Sequence, residues 1–418
     1  MTTIANSKPE AALGRKLRCV QVLWDTRRQN GGAARFVRDI ARVMSDRGHS
    51  ATVMTRYPED LPAAWRASDG SYCPRVRVMG AGRLPGKALP PGYVRRLRDA
   101  LINADVVHLH SPWMVCNWQI AALLKTNNIP YVVSLHSSLG AWSMSNGTLK
   151  KRVALSLHAR RFLEAASCVH FSTERGRDVS IRWIPGAADK AVVAPCFVDL
   201  SPYTRLPPPD LARNLFPQLG GRGPRVLFMG RLQRVKGIEA LIDTAAKLRE
   251  AGTVIQLIIA GAGERRYREQ LERRAHEAGV GSQVVFPGMV WGQQKLALYQ
   301  MADVLVMPSY GENFGLALVE ALACGLPVVT THGTDIWPEL REAGALLAPR
   351  TADGFAAALS ELIADPVSAR RRGRGGQQYV NRWLSTDTLL DDYQRIYEQA
   401  MAATAVTPEN HPTTTGVS

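Results

Sequence analysis

Short apolar runs rich in β-branched residues alternate along this chain with stretches whose apolar residues return every three or four positions. The runs LRCVQVLW (17–24), ATVMT (51–55), DVVHLH (105–110), PYVVSLH (130–136), SCVHF (167–171) and AVVAP (191–195) are bounded by polar residues or proline and predict strands. Between the first two, Phe36, Val37, Ile40, Val43 and Met44 mark one helical face, and Gly48 marks its end. Residues 201–224, SPYTRLPPPDLARNLFPQLGGRGP, carry much proline and glycine and keep no period, which predicts a linker. The alternation then resumes. RVLFMG (225–230), VIQLIIAG (254–261), QVVFPG (283–288), DVLVMPS (303–309) and PVVTT (327–331) predict strands, with helices over 237–250 and 315–324 among those between them.

Strand and helix in turn imply parallel sheets covered by helices on both faces. The expectation is an α/β protein of two Rossmann-like, doubly wound domains facing across a cleft. Ligands of such sheets sit beyond the carboxyl ends of the strands. The expected boundaries are 1–200 for the first domain, 201–224 for the linker and 225–402 for the second domain, whose last helix has room to cross back. Residues 403–418 are polar, with Pro and Thr, and read as a disordered tail.

No apolar run reaches the ~18 residues of a membrane helix, and the first residues lack the apolar segment of a signal peptide. The expected location is cytoplasmic. The six cysteines are far apart with no Cys-x-x-Cys pair, which argues against a zinc site and a disulfide scaffold. The charge is unevenly spread. Residues 1–200 hold 29 Lys and Arg against 14 Asp and Glu, a net +15; the remainder hold 23 against 22, a net +1. A basic first half suits a polyanionic partner such as anionic lipid, nucleic acid or a phosphorylated substrate, or simply a soluble arginine-rich surface.

Candidate chemistry falls at the predicted strand ends. In PSYGENFGLALVEALACGLPVV, Glu312 stands in a turn and Glu320 among apolar residues of the following helix. The helix start offers free N–H groups to an anion, and Gly311 and Gly315 let a ligand come close. Glu320 needs a partner because apolar neighbours surround it. Carboxylates accept hydrogen bonds from vicinal sugar hydroxyls, so two of them around a phosphate-binding helix start suit a sugar–diphosphate–ribose ligand. The alternative is a capping Glu312 and a surface or salt-bridged Glu320. In FMGRLQRVKGIEALID, Arg231 and Lys236 precede a helix and suit a diphosphate, or form a solvated basic loop. Gly31 and Gly32 lie between the first strand and first helix, where bare N–H groups could meet a phosphate. His136 ends a strand and could reach the cleft or be structural.

These segments, with NGGAARFVRDIARVMSDRGH, PYVVSLHSSLGAWSMSNGTLKKR, IIAGAGE, FPGMVWGQQKLALYQMADVLVMPSYGENFGLALVEALACGLPVV and GTDIWPEL, resemble the retaining glycosyltransferase family 4, whose fold is called GT-B. The middle segments look most like bacterial exopolysaccharide and O-antigen transferases. The resemblance implies an acceptor-side first domain, a nucleotide-sugar-binding second domain and transfer with retention of configuration, without a metal or other cofactor. By it, Glu312 would touch the donor sugar, with the amides of Asn313, Phe314 and Gly315 beside sugar and diphosphate. Glu320 would bind the ribose, and Arg231 and Lys236 the diphosphate. Gly31 and Gly32 would approach the phosphates, His136 the sugar ring, and Met289 and Val290 the nucleobase. Relatives often read His-Gly-Met-Leu where this chain reads His136-Ser137-Ser138-Leu139, so a glycine is missing from the acceptor-side loop.

The implied partners are a nucleotide-sugar donor and a glycan or lipid-diphosphate-linked acceptor. RRLRDALI (95–102) and LKKRVALSLHARRFL (149–163) mix basic and apolar residues and could touch the anionic inner face of the plasma membrane. Rival readings are an epimerase or a phosphorylase on the same fold, or a polyanion binder on charge alone. The last lacks any zinc-finger, RRM or KH signature.

Overall fold

In the computed structural model the described residues are 15–70, 72–80, 87–145, 151, 153–221 and 223–405. The first sheet has seven strands: β1 (Arg18–Val22), β2 (Ser50–Thr55), β3 (Arg75–Val78), β4 (Val106–His110), β5 (Tyr131–Ser134), β6 (Cys168–Phe171) and β7 (Ala191–Val193). Their order is β3-β2-β1-β4-β5-β6-β7. The second has six: β8 (Arg225–Met229), β9 (Gln256–Ala260), β10 (Val284–Gly288), β11 (Val304–Val306), β12 (Val328–Thr330) and β13 (Leu346–Leu347). Their order is β10-β9-β8-β11-β12-β13. Every strand pair is parallel.

Each sheet therefore reverses direction once, between β1 and β4 and between β8 and β11. Beyond the carboxyl ends at such a reversal the flanking loops part and leave a crevice. The loops after β1, β8 and β11 carry Gly31 and Gly32, Arg231 and Lys236, and Glu312.

Two strands escape the sequence pattern. β3, RVRV, is a sheet edge whose alternating arginines are at most half-buried, and β13 has two residues. Helix Gly32–Asp46 buries the predicted stripe of Phe36, Val37, Ile40, Val43 and Met44. The segment 201–224 contains helix Leu211–Leu215, with Ala212, Phe216 and Leu219 buried as anchors. The final helix, Thr386–Ala405, lies against β4, β5 and β6 and buries Leu389, Tyr393 and Tyr397 there. It continues through Ala403, Thr404 and Ala405, where the sequence suggested a tail from 403; alanine favours helix enough to carry the last turn. The rest of that expected tail, and 149, 150 and 152 of the second basic segment, lie outside the described residues. One buried apolar cluster runs from Phe36, Ile40 and Phe197 into Phe228, Ile258 and Leu318, so the two lobes share a core.

No helix among the described residues is long and apolar enough to cross a membrane. On helix Pro91–Leu101, Arg95, Arg96 and Arg98 are exposed while the interleaved Leu97 and Leu101 point inward. All six cysteines are free thiols.

Candidate active site

The loop after β8 begins with Gly230 and Arg231. Arg231 lines a cavity of about 380 Å³ together with Asp25, Gln29 and Asn30 from the loop after β1, and Ala262, Gly263 and Met289 from the second lobe. Met289 thus joins Arg231, while the Val290 side chain is buried beside it. The same β8 loop ends in the turn Arg234–Lys236, where the Lys236 ammonium pairs with the Glu312 carboxylate. Both side chains are mostly buried. The Glu312 backbone is clamped on the loop after β12: its N–H donates to the Gly333 carbonyl at 3.0 Å, and its carbonyl accepts from Asp335 N–H at 2.8 Å. Burial raises the Asp335 carboxyl to about 6. Arg175, 3.6 Å away, opposes that shift, and Glu312 adds to it.

After Glu312 the backbone is open. Gly315 has φ 63° and forms the N-cap of helix Leu316–Ala323 without any side-chain cap; an L side chain there costs about 1–2 kcal/mol. Among the described residues the N–H groups of Asn313, Phe314 and Gly315 donate to no other group. Three bare amides at a helix start form an anion-binding concavity. Phe314 itself turns inward and packs on Trp383, ring centroids 5.6 Å apart. Asn313 points across the cleft, its Oδ1 accepting from the Thr173 hydroxyl at 3.4 Å.

The first lobe presents a matching end. Gly31 has φ 73°, caps helix Gly32–Asp46 without a side chain, and faces open space. Gly32 sits against Leu316, so that a Cβ added there would lie 3.2 Å from the Leu316 Cδ1. The positive ends of two helices, one from each lobe, thus meet in one cleft.

Glu320 is placed elsewhere. It is 2% exposed, and both carboxylate oxygens are occupied. Oε1 takes the Arg35 guanidinium from the first lobe. Oε2 takes the Lys295 ammonium and the Tyr299 hydroxyl, the latter at 2.6 Å. Arg35 also binds the Tyr203 hydroxyl, the Asp199 carbonyl and Asp39. Glu320 therefore closes the lobes on each other, and its carboxylate does not open onto the cavity beside Arg231.

His136 follows β5, half-buried, with its ring on Phe36 and its Nε2 2.9 Å from His110 Nδ1. Burial, with His170 nearby, pushes its imidazole down to about 3 and keeps it neutral. His136 and Ser137 have φ 45° and 63°, and Ser111 after β4 has φ 79°. Such left-handed backbone at non-glycine residues stores strain and gathers at functional sites. Ser137 holds this conformation with an L side chain.

Sequence reasoning missed Arg35, Lys295 and Tyr299 around Glu320, Asp25 in the cavity, and the buried His108, His110 and His170. The histidines did leave a signal, since HLH in a strand puts His108 and His110 on one face. Among the described residues no cluster of three or more His, Cys, Asp or Glu could hold a metal ion.

Residues 31–196 match the model of the glycosyl transferase 4-like domain, and 216–379 that of glycosyl transferases group 1. A glycogen synthase of Mycobacterium tuberculosis is 27% identical, over 88% of this chain and 91% of its own. A phosphatidyl-myo-inositol mannosyltransferase of Mycobacterium leprae is 28% identical, over 88% and 93%. Among solved structures, the HepE protein of Anabaena in complex with UDP-glucose superposes with a TM-score of 0.73 at 20% identity, covering 92% of this chain and 100% of that one.

Proposed function

The chain belongs to glycosyltransferase family 4 and has the GT-B fold, and from that premise we propose that it moves a hexosyl unit from a nucleotide-diphosphate sugar to a glycan or lipid-linked acceptor. The transfer retains anomeric configuration, needs no metal ion and serves surface polysaccharide biosynthesis. The observation that carries this reading is the meeting, in one cleft, of the Lys236–Glu312 pair with the uncapped helix starts at Gly32 and Gly315.

The diphosphate lies between those helix starts, with Arg231 and Lys236 against it. Fixed donors of this kind stabilise charge that grows on a leaving group. As the diphosphate enters, it draws the Lys236 ammonium toward itself and frees the Glu312 oxygens for sugar hydroxyls. The amides of Asn313, Phe314 and Gly315 bind sugar and phosphate, and Gly31 and Gly32 approach the phosphates from the first lobe. Met289 and Val290 sit beside the nucleobase. Glu320 takes the ribose once the lobes part and Arg35 leaves its Oε1. His136 lies beside the sugar ring. The leaving phosphate accepts the proton of the attacking hydroxyl on the same face, which gives retention. Closure of the lobes keeps water from the activated sugar.

One relative is named for glycogen and another for a phosphatidyl-inositol, which supports keeping glycan and lipid-linked acceptors together. A lipid-linked acceptor suits the basic first lobe, where Arg95, Arg96 and Arg98 are exposed to an anionic inner membrane face. The test is a transfer assay with a panel of nucleotide sugars and lipid-linked or glycan acceptors. Glu312→Ala should abolish transfer while nucleoside diphosphate still raises the melting temperature. Equal loss of both would reassign the roles. Donor consumption without acceptor would point to an epimerase, and dependence on free phosphate to a phosphorylase.

A further inference from the structure

Beneath the cleft the first lobe buries a file of polar side chains whose hydrogen bonds run in one direction. The far end is fixed by a backbone carbonyl. His170 Nε2 lies 3.0 Å from the Ala194 carbonyl oxygen, which only accepts, so the proton of this neutral ring is on Nε2 and Nδ1 is bare. Ser134 therefore donates to His170 Nδ1 (2.6 Å) and accepts from His108 Nε2 (2.7 Å). His108 Nδ1 is then bare and takes the Tyr397 hydroxyl proton at 3.0 Å. Tyr397, having donated, accepts from the Gln21 amide nitrogen at 2.8 Å. That orientation turns the Gln21 oxygen to His110 Nε2, 2.9 Å away, which must carry a proton. His110 Nδ1 is bare in turn and accepts from His136 Nε2 at 2.9 Å. The Tyr393 hydroxyl, beside His170, donates to the Pro195 carbonyl and seals the end. Every link follows from the one before, and none depends on choosing a tautomer freely.

We infer that this file fixes His136 as the Nε2–H tautomer and turns its bare Nδ1 into an obligate hydrogen-bond acceptor for a substrate hydroxyl at the cleft, with His110, Gln21 and Tyr397 as positioning residues. Among the described residues no other group bonds to His136 Nδ1. The ring is the half-buried member at the cleft end of a file that is otherwise at most 1% exposed. Its backbone is held at φ 45°, so two constraints, one on the main chain and one on the ring, aim the same atom. The tyrosine links come from helix Thr386–Ala405, which gives the crossing of that helix back to the first lobe a role at the site. The hydroxyl rests on the glycosyltransferase reading; the tautomer does not.

The test begins with the whole protein, labelled with 15N-histidine. Long-range 1H–15N correlations show which ring nitrogen is bare, and the His136 signals are identified by their loss in His136→Gln. The expected pattern is a protonated Nε2 and a bare Nδ1; a protonated Nδ1 overturns the inference. Transfer rates supply the second readout. His110→Leu removes the acceptor for Nε2–H and should lower kcat/KM about tenfold or more, the loss of one oriented hydrogen bond. His110→Asn, whose amide oxygen can stand in for Nδ1, should recover most of that loss. A fall seen also in acceptor-free donor hydrolysis places the hydroxyl on the donor sugar, and a fall confined to transfer places it on the acceptor. A folded His110→Leu within about twofold of wild type overturns the positioning role. Wild-type protein that transfers no sugar but shows the expected tautomer sinks the glycosyltransferase reading and leaves the tautomer standing.

Discussion

The two sheets share a doubly wound topology and are filled by opposite means. In the second lobe the buried centre is apolar, with VLFM of β8, LIIA of β9 and VLV of β11. In the first, β1, β4, β5 and β6 insert Gln21, His108, His110, Ser134 and His170, all buried. Register sets them side by side, Gln21 against His108, His110 against Ser134, and Ser134 against His170. The second lobe buries polar groups too, among them Gln256, Thr330 and Glu320, but its central strands β8 and β11 close without a file of them. Polar groups cost several kcal/mol to bury unless bonded, so a complete file of them is an addition to the fold with an orienting use. The cleft repeats the contrast. The second lobe brings charge, in Arg231, Lys236 and Glu312. The first brings the bare helix start at Gly31 and Gly32, the neutral His136 ring, and an Asp25 carboxylate already paired with Arg27.

Acid should break the comparison most strongly. Burial holds His108 and His110 well below the ordinary histidine value, His136 down to about 3 and His170 to about 4. Below about pH 6.5 the unfolded chain binds protons that the folded one refuses, so stability rises with pH across the window from about 4 to 6.5. Each neutral histidine contributes up to about 1.4 kcal/mol per pH unit there. Thermal melts from pH 7 to 5 should show a steep fall, and His108→Gln or His170→Gln should flatten it.

Lys236→Ala tests the charged lobe. It removes a fixed cation from the proposed leaving group and should lower kcat by about 100- to 1,000-fold, read as nucleoside diphosphate release. A rate within tenfold of wild type would take the charge away from that lobe.

Asp335 carries the opposite pH sign. Its folded value, about 6, is above the unfolded one, so its contribution is fully present below about pH 4 and is lost as pH rises through 6. Asp335→Asn should therefore gain about 1–2 kcal/mol at pH 7 and little at pH 4, measured by urea unfolding at both. The smallest change belongs to Ser137→Gly. Relief of its left-handed backbone, φ 63°, should stabilise the protein by about 0.5–1 kcal/mol. A loss of stability would mean that the serine side chain, not strain, decides that turn.

Much of the fold was legible because strand ends coincide with punctuation. The helix carrying Phe36, the helix after Gly237 and the one after Gly315 each follow a strand across a loop of eight or nine residues that ends in glycine. β3 and β13 were not legible, since an edge strand with arginines and a two-residue strand carry no apolar run. At the site, the sequence foretold that Glu320 needs a partner but not which one. Arg35 comes from 285 positions away and only the folded lobes bring it there. The histidine spacing HLH showed one face, yet Tyr393 and Tyr397 reach it only because the last helix returns to the first sheet.

The central claim is that a nucleotide-diphosphate sugar lies between the lobes, held at its phosphates by Arg231 and Lys236. Melting temperatures measured with UDP-, GDP- and ADP-hexoses test it directly, because a ligand that binds only the folded state raises the transition. The expected result is a rise with at least one donor in wild type, abolished at the same concentration in Arg231→Ala/Lys236→Ala. A rise of equal size in the double variant, or no rise with any nucleotide sugar, would contradict the claim.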